Sequence, residues 1–416
     1  MNDVNNYDVI VVGGGASGMM AGGICAGKGK SVLILEKNKS LGAKLAISGG
    51  GRCNITNDED DLRTFLSIYS KKKNADQFLF SAFSQFNKND TFKFFDKLGL
   101  PLVVEARKRA FPNTQKSTDV VKVLEKFLNK NKVTVLTGFP VTKINKDGDR
   151  IVSVIAQNKT FIADSYIFAT GGVSHPETGS TGDGFKWLRD LGHTVTEPTP
   201  SIVPLAVREK YIKELSGISL SFMKITFYQD GVKAFNKKGK ILFTHFGLSG
   251  PLILNSASAV QDLMYNGDIT ARIDMYPDTE IGALDAKIIE VFDKNKNKMF
   301  KNIIDECVPE GMGKSLINII KINPETKVHS VSKSERRAFV DLLKALPITI
   351  TGLMGMDRAV VADGGVILSE IDSKTMKSKV LENLYITGDL LDINRPSGGF
   401  SLQLCWTTGY VAGINA

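Results

Sequence analysis

Six residues near the start of the chain, Gly13-Gly14-Gly15-Ala16-Ser17-Gly18, have the spacing of a phosphate cradle. Its three spaced glycines have different jobs. Gly13 permits a tight turn, Gly15 lets the backbone approach a pyrophosphate, and Gly18 lets a helix pack closely on a strand. Ala16 and Ser17 open that helix, whose free N–H groups and positive dipole end would face the phosphates. Glu36 stands eighteen residues beyond Gly18, with Lys37 after it. A carboxylate there accepts hydrogen bonds from ribose hydroxyls and repels a 2′-phosphate. The chemistry is dinucleotide binding, with FAD and NAD both open at this point.

The motif works only between a strand and a helix, and the sequence supplies both. Tyr7–Val12 is a β-branched run suited to burial on both faces of a parallel sheet. A helix-compatible stretch follows towards Lys28, and Ser31–Leu35 reads as the second strand.

Three further segments decide for FAD. Past Glu36 come Lys44 and then Ser48-Gly49-Gly50-Gly51-Arg52-Cys53-Asn54. Consecutive glycines there suggest backbone pressed against a flat or charged ligand. Lys44 and Arg52 can neutralise phosphate, and Asn54 offers a donor and an acceptor. Near the other end, the strand Leu384–Thr387 delivers Gly388-Asp389 to a carboxyl edge, where doubly wound sheets bind ligands. Asp389 can hold a ribityl hydroxyl, which FAD has and NAD lacks. Gly398-Gly399-Phe400-Ser401 then opens a helix towards Ala412, its N–H groups facing the flavin pyrimidine edge. A third strand ends in Ala169-Thr170-Gly171 beside the same sheet.

Other reactive residues carry less. Cys53 lies in the loop expected near the ring, and small apolar filler is the favoured reading over a thiol at the flavin. His245 and His175 are weighed as substrate contacts against packed histidines. His193 and His329 read as ordinary surface positions. Asp58–Asp61 suits the first turn of a helix. Gly313-Lys314-Ser315 ends like a P-loop, but Val308 occupies the place of its first glycine. No catalytic residue is assigned and no metal site is expected.

The composition is that of a folded protein. The 416 residues are 42% hydrophobic and 23% charged, which argues against disorder. The net charge of +9 is spread thinly along the chain, so no nucleic-acid partner is expected. Four scattered cysteines, without CxxC or zinc spacing, fit a reducing compartment. The uncharged run Val9–Gly27 holds seven glycines and reads as strand–turn–helix rather than a membrane span. A cytoplasmic location and no membrane partner are expected, with the oligomeric state open.

Residues 141–168 read as a small β-meander split at Asp147-Gly148-Asp149. From about Glu197 the texture changes to short strands with a hairpin expected around Asn236–Lys240, and helical patterns fill 279–322 and 333–346. The two halves of one nucleotide site must meet, so the intervening stretch is an insertion. We expect an FAD-binding domain over 1–196 and 346–416, a β-rich domain over 197–276 and about 323–345, and a helical subdomain over 277–322.

In combination, SGGGRCNITN (48–57), ATGGVSHPETGSTGDG (169–184), LFTHFGLSGP (242–251), KTMKSK (374–379) and LYITGDLLDINRPSGGFSLQ (384–403) are specific. On these motifs the chain resembles the aminoacetone oxidase family of FAD-binding enzymes. Its members are also described as NAD(P)/FAD-dependent oxidoreductases or 3-dehydro-bile acid reductase-like flavoproteins. The sequence departs from the family pattern at Asp363 and at Asn394-Arg395-Pro396. The resemblance implies an α/β fold: a Rossmann-like domain of the two-dinucleotide-binding-domain flavoprotein type, with an inserted β-barrel-like domain and a helical subdomain. It implies FAD held by Gly13, Gly15, Ser17, Gly18 and Glu36, with adenine against the backbone of Val141. Asp389 and Gly399–Ser401 would meet the ribityl and ring. The expected function is flavin-dependent oxidation or reduction of a small organic substrate bound between the FAD and inserted domains. NAD(P)H is a possible transient donor. A tRNA-modifying enzyme and a non-catalytic flavin-binding protein are the alternatives.

Overall fold

The structure, a computed structural model, describes residues 5–70, 74–264, 267–354, 361–395 and 397–416, so Pro396 of the quoted motif lies outside it. It divides into two compact units, residues 1–199 with 360–416, and residues 200–359.

The first unit is built on Asn5–Val12, whose Val9–Val12 are almost wholly buried. That strand lies parallel to Val32–Glu36 on one side and to Lys159–Phe168 on the other, with Val12 opposite both Leu35 and Phe168. Thr134–Thr137 extends the sheet beyond Val32–Glu36. On the opposite edge, Val141–Asp147, Arg150–Ala156 and Lys159–Phe168 form the antiparallel meander read from the sequence. Leu384–Ile386 joins in parallel beside Tyr166–Phe168, making seven strands.

Segments 370 residues apart thus reach one sheet edge. Thr387 Oγ1 donates to Ser17 Oγ at 3.2 Å. The fingerprint helix (Ala16–Gly27) and the C-terminal helix (Phe400–Asn415) pack through small residues. A Cβ at Gly409 would lie 2.5 Å from the Ser17 carbonyl oxygen, and one at Gly413 would lie 2.8 Å from that of Ala21. Larger side chains would push the helices apart and separate the two halves of the site.

The second unit is a closed barrel, in the order Leu205–Val207, Gly247–Ser249, Val232–Thr244, Ser219–Gln229, Ile269–Asp274 and Leu346–Leu353. Alternation puts Ile225, Phe227 and Ile273 inside. Three expectations are corrected here. The chain returns to the first unit at 360 rather than 346, because Leu346–Leu353 closes the barrel between Leu205–Val207 and Ile269–Asp274. The helices Ile281–Lys294 and Lys333–Lys344 share the barrel's apolar core through Leu284, Ile288, Phe292 and Phe339, so 277–322 is not a separate body. The hairpin turns at Asp230-Gly231, with Gly231 at φ +81°; Asn236–Lys240 lies mid-strand, where Gly239 is buried against Leu252. Asp-Gly is the stronger turn signal of the two.

Candidate cofactor site

The three fingerprint glycines differ in what surrounds them. Gly13 has φ +106°, and a Cβ on it would meet the Ala169 carbonyl oxygen at 2.5 Å. One on Gly18 would meet the Gly13 carbonyl at 1.9 Å. A Cβ on Gly15 would meet nothing within 4 Å among the described residues. Two of these glycines are therefore required by packing, and the third leaves open backbone beside the N-terminus of the Ala16–Gly27 helix. No side chain caps that helix, so its first N–H groups are available to an anion.

Glu36, 7% exposed, is clamped by its own backbone surroundings. Its Oε2 accepts from Gly14 N–H at 2.7 Å, and its Oε1 from Asn38 N–H at 2.7 Å. Each oxygen keeps a lone pair for a ribose hydroxyl. Phe139 N–H donates to the Glu36 carbonyl at 2.9 Å, which brings the turn leading into Val141 beside the acid. Lys37 reaches elsewhere, pairing with Asp183 at 2.7 Å.

In the 48–54 loop, Gly50 and Gly51 have φ of +67° and +85° with open space where a Cβ would lie. Ser48 Oγ donates back to the Leu45 carbonyl. Arg52 is already engaged: its guanidinium contacts Glu105 and Gln115 and covers the Phe111 ring at 4.1 Å. It braces the loop rather than presenting a cation to phosphate. Cys53 is fully buried, and burial pushes its thiol up to about 12. The Asn54 side chain satisfies both its ends by donating to the Thr56 and Ala110 carbonyls while accepting from Gly399 N–H at 3.0 Å. Asn57 Nδ2 donates to the Gly398 carbonyl at 3.0 Å. The loop thus fixes the start of the C-terminal helix, where Gly399 has φ +99° and its missing Cβ would strike the Thr56 carbonyl. Phe400 buries its ring edge-on to Phe65 at 4.8 Å, and Ser401 follows it in the first helical turn.

At the sheet edge, Gly388 N–H donates to Thr408 Oγ1 at 3.0 Å. Asp389 Oδ1 lies 3.0 Å from Arg395 Nε, and its Oδ2 lies 3.9 Å from Lys44 Nζ. Lys44 also donates to Ser174 Oγ at 3.1 Å. Burial holds the Lys44 ammonium below the ordinary lysine value, with Asp389 opposing that effect. Ala169 continues the sheet through its N–H to the Val12 carbonyl. The buried Thr170 Oγ1 has no hydrogen-bond partner among the described residues, and Gly171 turns away at φ +73°.

Sequence reasoning passed over Arg395, although the departure at 394–396 marks it. Its guanidinium is 1% exposed and donates to the carbonyls of Ala362, Gly364, Asp389 and Leu391. Of the histidines, His245 is exposed in the second unit with its ring 4.9 Å from Phe246, and His329 is exposed. His175, at φ +52°, pairs with Glu177 at 2.8 Å. His193 is corrected: it is 4% exposed, between Glu370 and Ser378 at 2.8 and 2.9 Å.

The cradle fits FAD. Open glycine backbone at Gly15, Gly50 and Gly51 and a helix N-terminus without a side-chain cap suit a long anionic dinucleotide with a flat ring. The unpartnered Thr170 hydroxyl supplies a buried polar contact.

A family model described as "HI0933-like protein Rossmann domain" matches residues 7–415. The chain is 28% identical over 407 residues to a 3-dehydro-bile acid delta(4,6)-reductase of Clostridium scindens, spanning 97% of each. It is also 28% identical over 411 residues to a ribosomal RNA dihydrouridine synthase of Haemophilus influenzae, covering 98% of this chain and 97% of the relative. Among solved structures it resembles a 3-ketosteroid delta1-dehydrogenase from Sterolibacterium denitrificans, with TM-score 0.56 at 13% identity over 99% of both chains, a likeness of fold. Among the described residues no helix is long and apolar enough to cross a membrane.

Proposed function

The chain belongs to the HI0933-like Rossmann family of FAD-dependent oxidoreductases, and from that premise we propose that it reduces a carbon–carbon double bond conjugated to a carbonyl. One observation carries this reading: full-length relatives are named both as a delta(4,6)-reductase and as dihydrouridine synthases. By their names, both add two hydrogens across a C=C. When bound and reduced by NAD(P)H, FAD would supply a hydride to one carbon and return to its oxidised form, with a proton from solvent completing the other carbon.

The protein's own part is positioning. Gly15 and the first turn of the Ala16–Gly27 helix would hold the pyrophosphate, Glu36 the adenosine ribose, and Asp389 the ribityl chain. The Gly399–Ser401 helix start would face the pyrimidine edge, where its dipole favours negative charge. The first substrate reading is a small conjugated ketone. A second reading, a uracil base in ribosomal RNA, is supported by the two dihydrouridine synthase relatives and by the net charge of +9.

Anaerobic titration with NADH and then NADPH tests the proposal. The purified protein is expected to be yellow, to bleach with one nicotinamide, and to recolour without oxygen when given a conjugated ketone or a uridine-containing RNA. Failure to take up FAD, or recolouring by oxygen alone, overturns the reductase reading.

A further inference from the structure

We propose that the outer face of the barrel strands Ser219–Gln229, Val232–Thr244 and Ile269–Asp274 is an RNA-binding surface. This inference rests on the RNA form of the reading above.

The face is dictated by strand alternation. On Ser219–Gln229, Met223, Ile225 and Phe227 point into the barrel, so Lys224, Thr226 and Tyr228 point out. Their partners on Val232–Thr244 are Lys238, Asn236 and Lys233, all exposed. On the other flank the partners are Asp274, Arg272 and Thr270. Lys240 continues the same face past the buried Gly239. Five cations therefore share one side of a three-stranded sheet: Lys224, Lys233, Lys238, Lys240 and Arg272. Two acids border them: Asp278 pairs with Lys238 of this face at 2.6 Å, which leaves four cations for phosphate, and Asp274 pairs with Lys344 at 2.8 Å. Asp230, at the hairpin end, accepts instead from the Asp268 backbone N–H.

Aromatic rings are set among these charges. Arg272 lies over the Tyr228 ring at 5.1 Å, forming a flat cationic stack. Phe222 is 73% exposed and has φ +61°, in a bulge between the paired residues Leu220 and Met223. A bulky side chain in the left-handed region costs free energy, and a large exposed ring gains nothing from folding. Both features make sense where a base stacks on the ring. Thr226, Asn236 and Thr270 add short polar side chains that can reach base edges.

RNA is the occupant that uses all three components. Its phosphates meet the lysines, its splayed bases meet Phe222 and the Tyr228–Arg272 stack, and its base edges meet the hydroxyl and amide groups. An anionic membrane surface or an acidic protein would use the charge and leave the stacks and the polar row unexplained.

The test is fluorescence anisotropy of the full-length FAD-loaded protein with a labelled 20-nucleotide uridine-rich RNA over a series of salt concentrations. With Lys224, Lys233, Lys240 and Arg272 on phosphate, log Kd is expected to change with log salt by about 2.8, at about 0.7 per contact for a single strand. The combined substitution Lys233→Gln, Lys240→Gln and Arg272→Gln should lower that slope by about 2. Phe222→Ser should weaken binding about 10-fold without changing the slope. Lys122→Gln, an exposed lysine of the first unit, is the charge control. Equal binding by the triple variant and the control overturns the assignment. So does equal affinity of the unaltered protein for anionic vesicles or polyglutamate. Flavin bleaching by NADPH in the unaltered protein reads the reductase proposal separately, so either can fail alone.

Discussion

Arg395 Nε lies 3.0 Å from Asp389 Oδ1, and the same guanidinium donates to the Asp389 main-chain carbonyl at 2.8 Å. A buried arginine thus holds the proposed ribityl contact by both side chain and backbone. Its remaining donors reach Ala362, Gly364 and Leu391, tying the segment after residue 360 to the cofactor loop. Removing Arg395 leaves four carbonyls without their donor and Asp389 with Lys44, 3.9 Å away, as its counter-charge. Arg395→Met should therefore cost about 3–5 kcal/mol of stability. The more informative variant is Arg395→Lys, which keeps a charge but cannot span four carbonyls. It should weaken FAD binding while leaving ADP binding, which needs only the fingerprint half, nearly unchanged. Calorimetric titration of both ligands distinguishes this from a general loss of structure, which would weaken both.

The fingerprint glycines separate packing from ligand binding. Gly15 has φ −80° and open space around its missing Cβ, so Gly15→Ala can fold without strain. The added methyl would occupy the surface proposed for the pyrophosphate, and FAD affinity should fall about 10-fold or more, the equivalent of about 1.4 kcal/mol. Gly18→Ala instead meets the Gly13 carbonyl within the protein and should lower the melting temperature of the flavin-free form as well. Thermal melts of both apo-proteins, paired with flavin fluorescence titrations, check the contrast.

Much of the first unit could be read from sequence because its signals are local. The strand, glycine turn, helix and terminal acid lie within thirty residues of each other, and Asp147-Gly148 marked the meander turn. What escaped depends on distant partners. Arg52 looked like a phosphate ligand because Glu105 and Gln115 are more than fifty residues away. His193 looked like a surface residue because Glu370 and Ser378 arrive from the far end of the chain. Residues 346–353 looked like part of the first unit, since nothing local says that the partners of Leu346–Leu353 are Leu205–Val207 and Ile269–Asp274. The thin spread of charge along the chain also hid a basic face. Alternate residues of paired strands collect on one side in space, although they are diluted in sequence.

Cys53 tests the choice between redox chemistry and packing. It is fully buried, and desolvation pushes its thiol up to about 12, as it does for Cys25 and Cys307. At pH 7.5 the thiolate fraction of such a group is below about one in ten thousand. These three cysteines should resist maleimide in the native protein, and all four should react in denaturant. Cys53→Ala should keep the flavin and its bleaching by nicotinamide. Rapid labelling of Cys53 in the native state, or loss of bleaching in the alanine variant, would restore a role for the thiol.

His193 should make the first unit acid-sensitive, and its hydrogen bonds fix the sign. Ser378 Oγ accepts from the N–H groups of Val380 and Leu381, at 3.0 and 2.8 Å, which occupies both its lone pairs. Its one proton must therefore go to His193 Nε2, 2.9 Å away, so that nitrogen accepts. The other nitrogen, Nδ1, then donates to Glu370 Oε2, which also accepts from Thr194 N–H. This Glu–His–Ser order mimics a hydrolytic triad, but Ser378 is 5% exposed and its oxygen has no lone pair left for attack. It specifies a neutral imidazole. Burial is the main cause holding the His193 pKa below its ordinary 6.5, with Glu370 partly opposing it. The unfolded chain therefore binds more protons than the folded one just below pH 6.5. Stability should fall as the pH drops through 6.5 and go on falling until the lowered folded pKa is reached, by at most about 1.4 kcal/mol per pH unit. Ser378→Ala removes the proton directed at Nε2, so that nitrogen can be protonated without two donors facing each other. The variant should be less stable at pH 7.5 yet show a shallower loss between pH 7 and 5. Thermal melts across that range decide it: parallel curves for the two proteins would mean that His193 does not titrate in the folded state's working range, and that the network is a neutral brace at every pH tested.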